Sequence, residues 1–187
     1  MIVRRCSVVA LVVVSLTVGS ALGASAATSP DQWATTFCTA LSKWQKTITS
    51  ESNKAKAALD VQSGSDLSAI RAEFVSFLKN DVAATKTAVN SIDKGGAPDI
   101  TNGAKIQKKV IAGLRSTQDV FAGAQQDAAA LSTTDPAAFV SDATTVQTNL
   151  SSGADGFTNA ITEAQALDKD NKIGAAFNKS KACKALG

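Results

Sequence analysis

The stretch AKIQKKVIAGLRSTQDVFAGAQQDAAALSTTDPAAF, residues 104–139, decides the fold class. Ile106, Val110, Leu114, Thr117, Phe121, Ala124, Ala128 and Leu131 recur in steps of three and four. That spacing places them on one stripe of an α-helix and does not match the alternation of a half-buried strand. The run stops at Ser132-Thr133-Thr134-Asp135-Pro136. Asp135 can accept from the free N–H groups of a new first turn. Pro136 loses nothing at the first helical position, where an N–H would be unpaired anyway. One helix therefore ends and another begins within a few residues.

The same rhythm extends in both directions. Downstream, Phe139, Ala143, Val146, Leu150, Gly153, Phe157, Ala160, Ala164 and Leu167 form the stripe of the next helix. Upstream, Leu67, Ile70, Phe74, Phe77, Leu78, Val82 and Val89 form another, which Asp66 caps and DKGGAPD (93–99) ends. Before it, Ser29, Pro30 and Gln32 make a start signal, and Trp33, Phe37, Ala40, Leu41, Trp44 and Ile48 share a face. This first helix is expected to reach Asp60, where QSGSD (62–66) breaks it. A short last helix from Asn171 to Leu186 carries Ile173, Ala176, Phe177 and Cys183 on one side. The expected fold is all-α: an up-down-up-down four-helix bundle with a short C-terminal fifth helix, because short connections make successive long helices antiparallel neighbours.

Residues 1–26 read as a signal peptide. Arg4 and Arg5 precede the apolar run SVVALVVVSLTVGSALG (7–23), and Ala24-Ser25-Ala26 supplies a small-residue cleavage site. Ser15, Thr17 and Gly19 interrupt the run, whereas a spanning helix needs about 20 predominantly apolar residues. Cys6 precedes the run, which does not fit a lipoprotein anchor. The mature chain is expected to begin at Ala27 and to form one domain over 27–187, secreted to the extracellular space or the cell envelope. Loss of Arg4 and Arg5 from the 19 basic residues leaves them nearly balanced by the 16 acidic ones. Strong nucleic-acid binding needs a concentrated positive field, so nucleic acid is not an expected partner.

Two of the three cysteines, Cys38 and Cys183, fall in the mature chain. In an oxidising compartment two cysteines admit one pairing, and a disulfide is expected between them. Two thiols without any histidine cannot complete the usual four-ligand zinc site unless carboxylates join them. An even number of antiparallel crossings returns the chain to its starting pole, where Cys38 can be reached by the last helix. A bond closing so long a loop contributes at most about 5 kcal/mol through the unfolded state.

WATTFCTALSKW (33–44), GAPDITNGAKI (96–106) and ACKALG (182–187) together resemble small secreted helical proteins of actinobacteria. The resemblance spans most of the mature chain. It implies export and a helical bundle with an N- to C-terminal disulfide, and it brings no catalytic residues.

The residue types present restrict the chemistry. Without histidine, neither a Ser-His-Asp nor a Cys-His arrangement can be built. Tyrosine is absent and the one methionine is the initiator, so with paired cysteines the usual haem ligands are missing. DKDNKIG (168–174) lacks the closing glutamate of a calcium loop and reads as a helix-breaking turn. A glycosidase-like carboxylate pair would have few aromatics with which to line a sugar cleft. No enzyme activity, catalytic residue, cofactor or metal is expected.

The remaining candidates are aromatic and basic. Trp33, Phe37 and Trp44 share a helix face, and with Phe121 and Phe157 they are candidate core or ligand-facing rings. Lys169, Lys172, Lys179, Lys181 and Lys184 give the last segment a local positive charge suited to weak contact with an anionic surface. Gly113, Gly123, Gly153 and Gly156 each weaken a helix by about 1 kcal/mol relative to Ala, which asks for close helix approach or room for a ligand. The function expected is a non-enzymatic, monomeric binding module with an extracellular or envelope partner. The alternative is a carrier that holds a small apolar or lipid ligand between its helices.

Overall fold

The computed structural model describes residues 27–58 and 66–186. Residues 1–26 with Cys6, and the break expected at Asp60 and residues 62–65, lie outside the described residues. Six helices follow one another: α1 (Pro30–Ala58), α2 (Leu67–Lys94), α3 (Gly103–Ala129), α4 (Pro136–Leu167), α5 (Lys172–Lys179) and α6 (Lys181–Lys184). No strand occurs among the described residues. One isolated bridge, Thr28 to Pro98, ties the N-terminal segment to the α2–α3 connection. No helix among the described residues is long and apolar enough to cross a membrane.

Local chemistry starts three of the long helices. The Asp66 carboxylate accepts from the N–H groups of Ser68 and Ala69 at 2.9 and 3.2 Å. Asp135 does the same for Ala137 and Ala138. The Ser29 hydroxyl accepts from the Gln32 N–H at 3.3 Å. These bonds satisfy N–H groups that have no partner inside the helix. Serine and threonine are poor helix formers because their hydroxyls compete for the backbone. Here many are absorbed within the helix: Thr47, Thr87, Ser91, Thr144, Thr148 and Thr162 each donate to the carbonyl four residues back.

The expected last helix is two. Ser180 adopts extended backbone (φ −70, ψ 122) between α5 and α6. Its buried hydroxyl lies 3.3 Å from that of Thr35. The break turns α6 so that Cys183 meets Cys38, with an S–S distance of 2.04 Å and Cα atoms 4.9 Å apart. Both short helices pack on α1.

The long helices pack in sequence order, α1 on α2, α2 on α3 and α3 on α4. Small residues bring α3 and α4 close. A Cβ on Gly113 would stand 2.5 Å from that of Ala160, and one on Gly153 would stand 2.7 Å from Val120. Gly123 has nothing within 4 Å, so close approach accounts for two of the glycines and not for this one. By contrast α1 and α4 stay farther apart. They meet through Trp44 and Phe157, whose rings make an edge contact at 6.0 Å.

Two apolar clusters fill the interior. The first holds Trp33, Phe37, Val89, Ile92, Ile106, Val110, Leu114 and Ile173; the second holds Leu67, Ile70, Phe74, Leu78, Ala124, Leu131, Phe139 and Val146. On α2 the buried residues between them include Asp81 and Thr85, and on α3 Thr117. The expected seam of α2 therefore needs correction. Val82 is half-buried, and the stripe runs instead from Leu78 through Asp81 and Thr85 to Val89.

Candidate functional site

Near the start of α1, α5 lies across the gap between α1 and α4. A cleft of about 200 Å³ remains there. Trp33 and Phe37 come from α1, Ile106 and Val110 from α3, Ile161 and Ala164 from α4, and Ile173 and Phe177 from α5. The rings of Trp33, Phe37 and Phe177 are nearly parallel. Their centroids lie 5.1, 5.5 and 6.0 Å apart, with interplanar angles of 9°, 21° and 24°. Rings offset in this way avoid face-to-face repulsion and together give the cleft an aromatic, apolar lining.

The polar groups around the cleft are largely committed elsewhere. The Trp33 indole N–H points inward and donates to Gln107 Oε1 at 2.7 Å. Gln107 in turn donates from Nε2 to the Ile92 carbonyl at 2.8 Å. The Asp168 carboxylate at the rim accepts from the N–H groups of Lys172, Ile173 and Gly174 at 2.9, 2.8 and 3.1 Å. Its charge is spent on the first turn of α5, where an anion is favourable. Asn171, in the left-handed region at φ 52, makes the tight turn that brings α5 back over α1. The cleft thus combines an aromatic wall with a polar mouth.

Other hollows differ in chemistry. An open depression of about 690 Å³ along α2 and α3 is lined by charges of both signs, among them Asp93, Lys108, Arg115 and Asp119. A groove of about 330 Å³ at the far end of the α1–α4 gap is lined by Phe74, Phe77, Phe139, Val140 and Leu150.

The five candidate rings do not form one wall. Trp33 and Phe37 line the cleft together. Trp44 belongs to a different environment: its N–H donates to the Thr85 hydroxyl at 2.9 Å and its ring meets Phe157. Phe121 packs against the second cluster, away from the cleft. Lys169, Lys172, Lys179, Lys181 and Lys184 are all exposed. Among the described residues no group of three or more potential metal ligands occurs.

Three residues escaped the sequence reading, two at the cleft and one deeper in the interior. Phe177 was recognisable as an apolar face residue of the last helix, but its stacking on α1 depends on the turn at Asn171. Gln107 interrupts no stripe and gives no signal, because it pairs with a tryptophan distant in sequence. Asp81 did carry a signal, since the steps Leu78, Asp81, Thr85, Val89 continue the α2 stripe. Comparison with protein-family models, curated proteins and solved structures finds no match.

Proposed function

We propose that this chain is an exported, non-enzymatic binding module that carries a small apolar ligand in the cleft beside Trp33, Phe37 and Phe177. The observation that carries this reading is the cluster of parallel rings lining a cleft in which the Trp33 N–H and the Asp168 carboxylate are already hydrogen-bonded. Ligand sites are mostly apolar concavities with a few polar groups that fix orientation, and Gln165 and Asn171 stand at this mouth. A volume of about 200 Å³ suits a compound of one or two rings rather than a full lipid. Export rests on the leader sequence and fits a Cys38–Cys183 bond, and the mature chain then begins near Ala27.

The scaffold of this proposal is an up-down-up-down bundle. Its support is the order of cross-helix partners. Trp44 pairs with Thr85 while Glu51 pairs with Asn80, and Gln107 pairs with Ile92 while Arg71 pairs with Leu131. Gly113 faces Ala160 while Gly153 faces Val120. In each seam one residue number rises as the other falls.

The test is organic extraction of protein purified from its native host, followed by mass spectrometry. Wild type should release a stoichiometric apolar compound. Ile161→Trp, which fills the cleft, should release little, while Lys179→Ala should match wild type. Empty extracts from wild type, or equal content in all three proteins, would overturn the carrier reading. A second reading, weak attachment to an anionic envelope polymer, draws on the five exposed lysines of the α5–α6 segment. It is tested by salt-sensitive sedimentation with phosphatidylglycerol vesicles.

A further inference from the structure

Asp81 has no exposed surface, and neither of its carboxyl oxygens has a hydrogen-bond partner. It lies mid-way along α2, in the layer between the two apolar clusters. A buried ion without a partner is so costly that the group keeps its proton instead. Burial, reinforced by the charge of Glu51 on α1, holds the Asp81 pKa up at about 7.

The surroundings supply no compensating cation. Glu51 is the charged group that acts on Asp81 from α1, and it is itself held by Lys54 and Asn80. The inward-facing residues Leu114, Thr117 and Phe121 of α3 and Leu150, Gly153 and Phe157 of α4 are uncharged, and Arg115 and Asp119 of α3 are exposed. The chain has no histidine, the side chain whose ordinary range spans neutral pH.

Asp81 is also wired to the waist of the molecule. Its main-chain carbonyl accepts from the Thr85 hydroxyl at 2.7 Å. That same hydroxyl oxygen accepts the Trp44 indole N–H, and the Trp44 ring meets Phe157 across the α1–α4 gap. A second buried hydroxyl, on Thr117, is committed to the Gly113 carbonyl. A carboxylate formed here finds its nearby donors already in use and must take them or admit water.

We propose that Asp81 is a proton-operated latch. With the proton in place, the carboxyl lets α1 close on α2 through Trp44 and Thr85. When the proton leaves to bulk water, the carboxylate recruits the Thr85 hydroxyl and solvent, and Trp44 loosens from Thr85 and Phe157.

The experiment follows two kinds of NMR signal from pH 5 to 9 in the whole protein: the side-chain carboxyl carbon of Asp81 and the indole N–H resonances of Trp44 and Trp33. The Asp81 carbon and the Trp44 N–H should shift together with a midpoint near 7, while the Trp33 N–H, bonded to Gln107, stays still. Asp81→Asn should leave the Trp44 signal flat across the range. An Asp81 carbon that titrates below pH 5 would overturn the latch. So would a Trp44 signal that is flat in wild type, or one that still titrates in Asp81→Asn. Should that variant fail to fold, coincidence or divergence of the two wild-type midpoints decides.

Discussion

Trp33 and Gln107 form a hydrogen bond of 2.7 Å inside the core, on two helices and 74 residues apart in sequence. Because Gln107 also donates to Ile92, this one amide joins α1, α3 and α2. An indole N–H left buried without an acceptor loses its hydration and gains nothing in return.

Gln107→Leu should therefore destabilise the fold by about 1–3 kcal/mol, the usual cost of an orphaned buried donor. Urea unfolding measures it. Adding Trp33→Phe to Gln107→Leu should cost less than the sum of the two single changes, since the pair then no longer leaves a donor unpaired. Strict additivity would count against the bond.

Removal of the disulfide separates the cleft from the bundle. Cys38→Ala with Cys183→Ala should lower stability by roughly 2–5 kcal/mol and the thermal midpoint by several degrees. Helical circular dichroism from α1 to α4 should largely persist, because their seams do not involve the sulfurs. Amide exchange in α5 and α6 should rise sharply. Uniform loss of all helices would contradict this division.

The glycines of α3 and α4 should answer to alanine in opposite ways. Gly113→Ala forces a Cβ against Ala160 and Gly153→Ala forces one against Val120, so each should destabilise by about 1–3 kcal/mol before the helix-propensity gain. Gly123→Ala meets open space and should stabilise by up to about 1 kcal/mol. Thermal unfolding of the three variants gives the comparison.

Asp81 sets a pH dependence with a definite sign. Its pKa rises from 3.8 to about 7 on folding. Below the lower value both states hold the proton; above the higher one both have lost it. Between them the folded state binds more proton, so its contribution to stability falls as pH rises. At 1.36 kcal/mol per pH unit the total is about 4 kcal/mol. The stability of Asp81→Asn relative to wild type should therefore increase from pH 4 to pH 7 and then level off, as read from urea unfolding at each pH. A constant difference would sink this assignment.

How much of this was legible beforehand varies by element. The capping residues Asp66 and Asp135, the break at Thr133-Thr134, the helical stripes and the Cys38–Cys183 pairing all stand in the sequence. Helix 5 was legible as apolar periodicity, but the kink at Ser180 was not, because serine permits a helix to continue. Of the aromatic candidates, Trp33 and Phe37 belong to one cleft and Trp44 to another layer, although all three share a helix.

The sequence by itself determined which segments form the long helices and where α1, α2 and α4 start, because caps, prolines and three-to-four periodicity act within a few residues along the chain. It also pointed to the disulfide pairing, because Cys38 and Cys183 are the two cysteines beyond the expected leader. The tertiary structure alone decided that α1 and α4 stand apart, that Phe177 completes the ring wall, and that Asp81 is sealed without a partner. Those outcomes depend on how side-chain sizes match across seams between distant segments. Glycines draw α3 onto α4, whereas α1 reaches α4 through the Trp44 and Phe157 rings, and no local pattern records that difference.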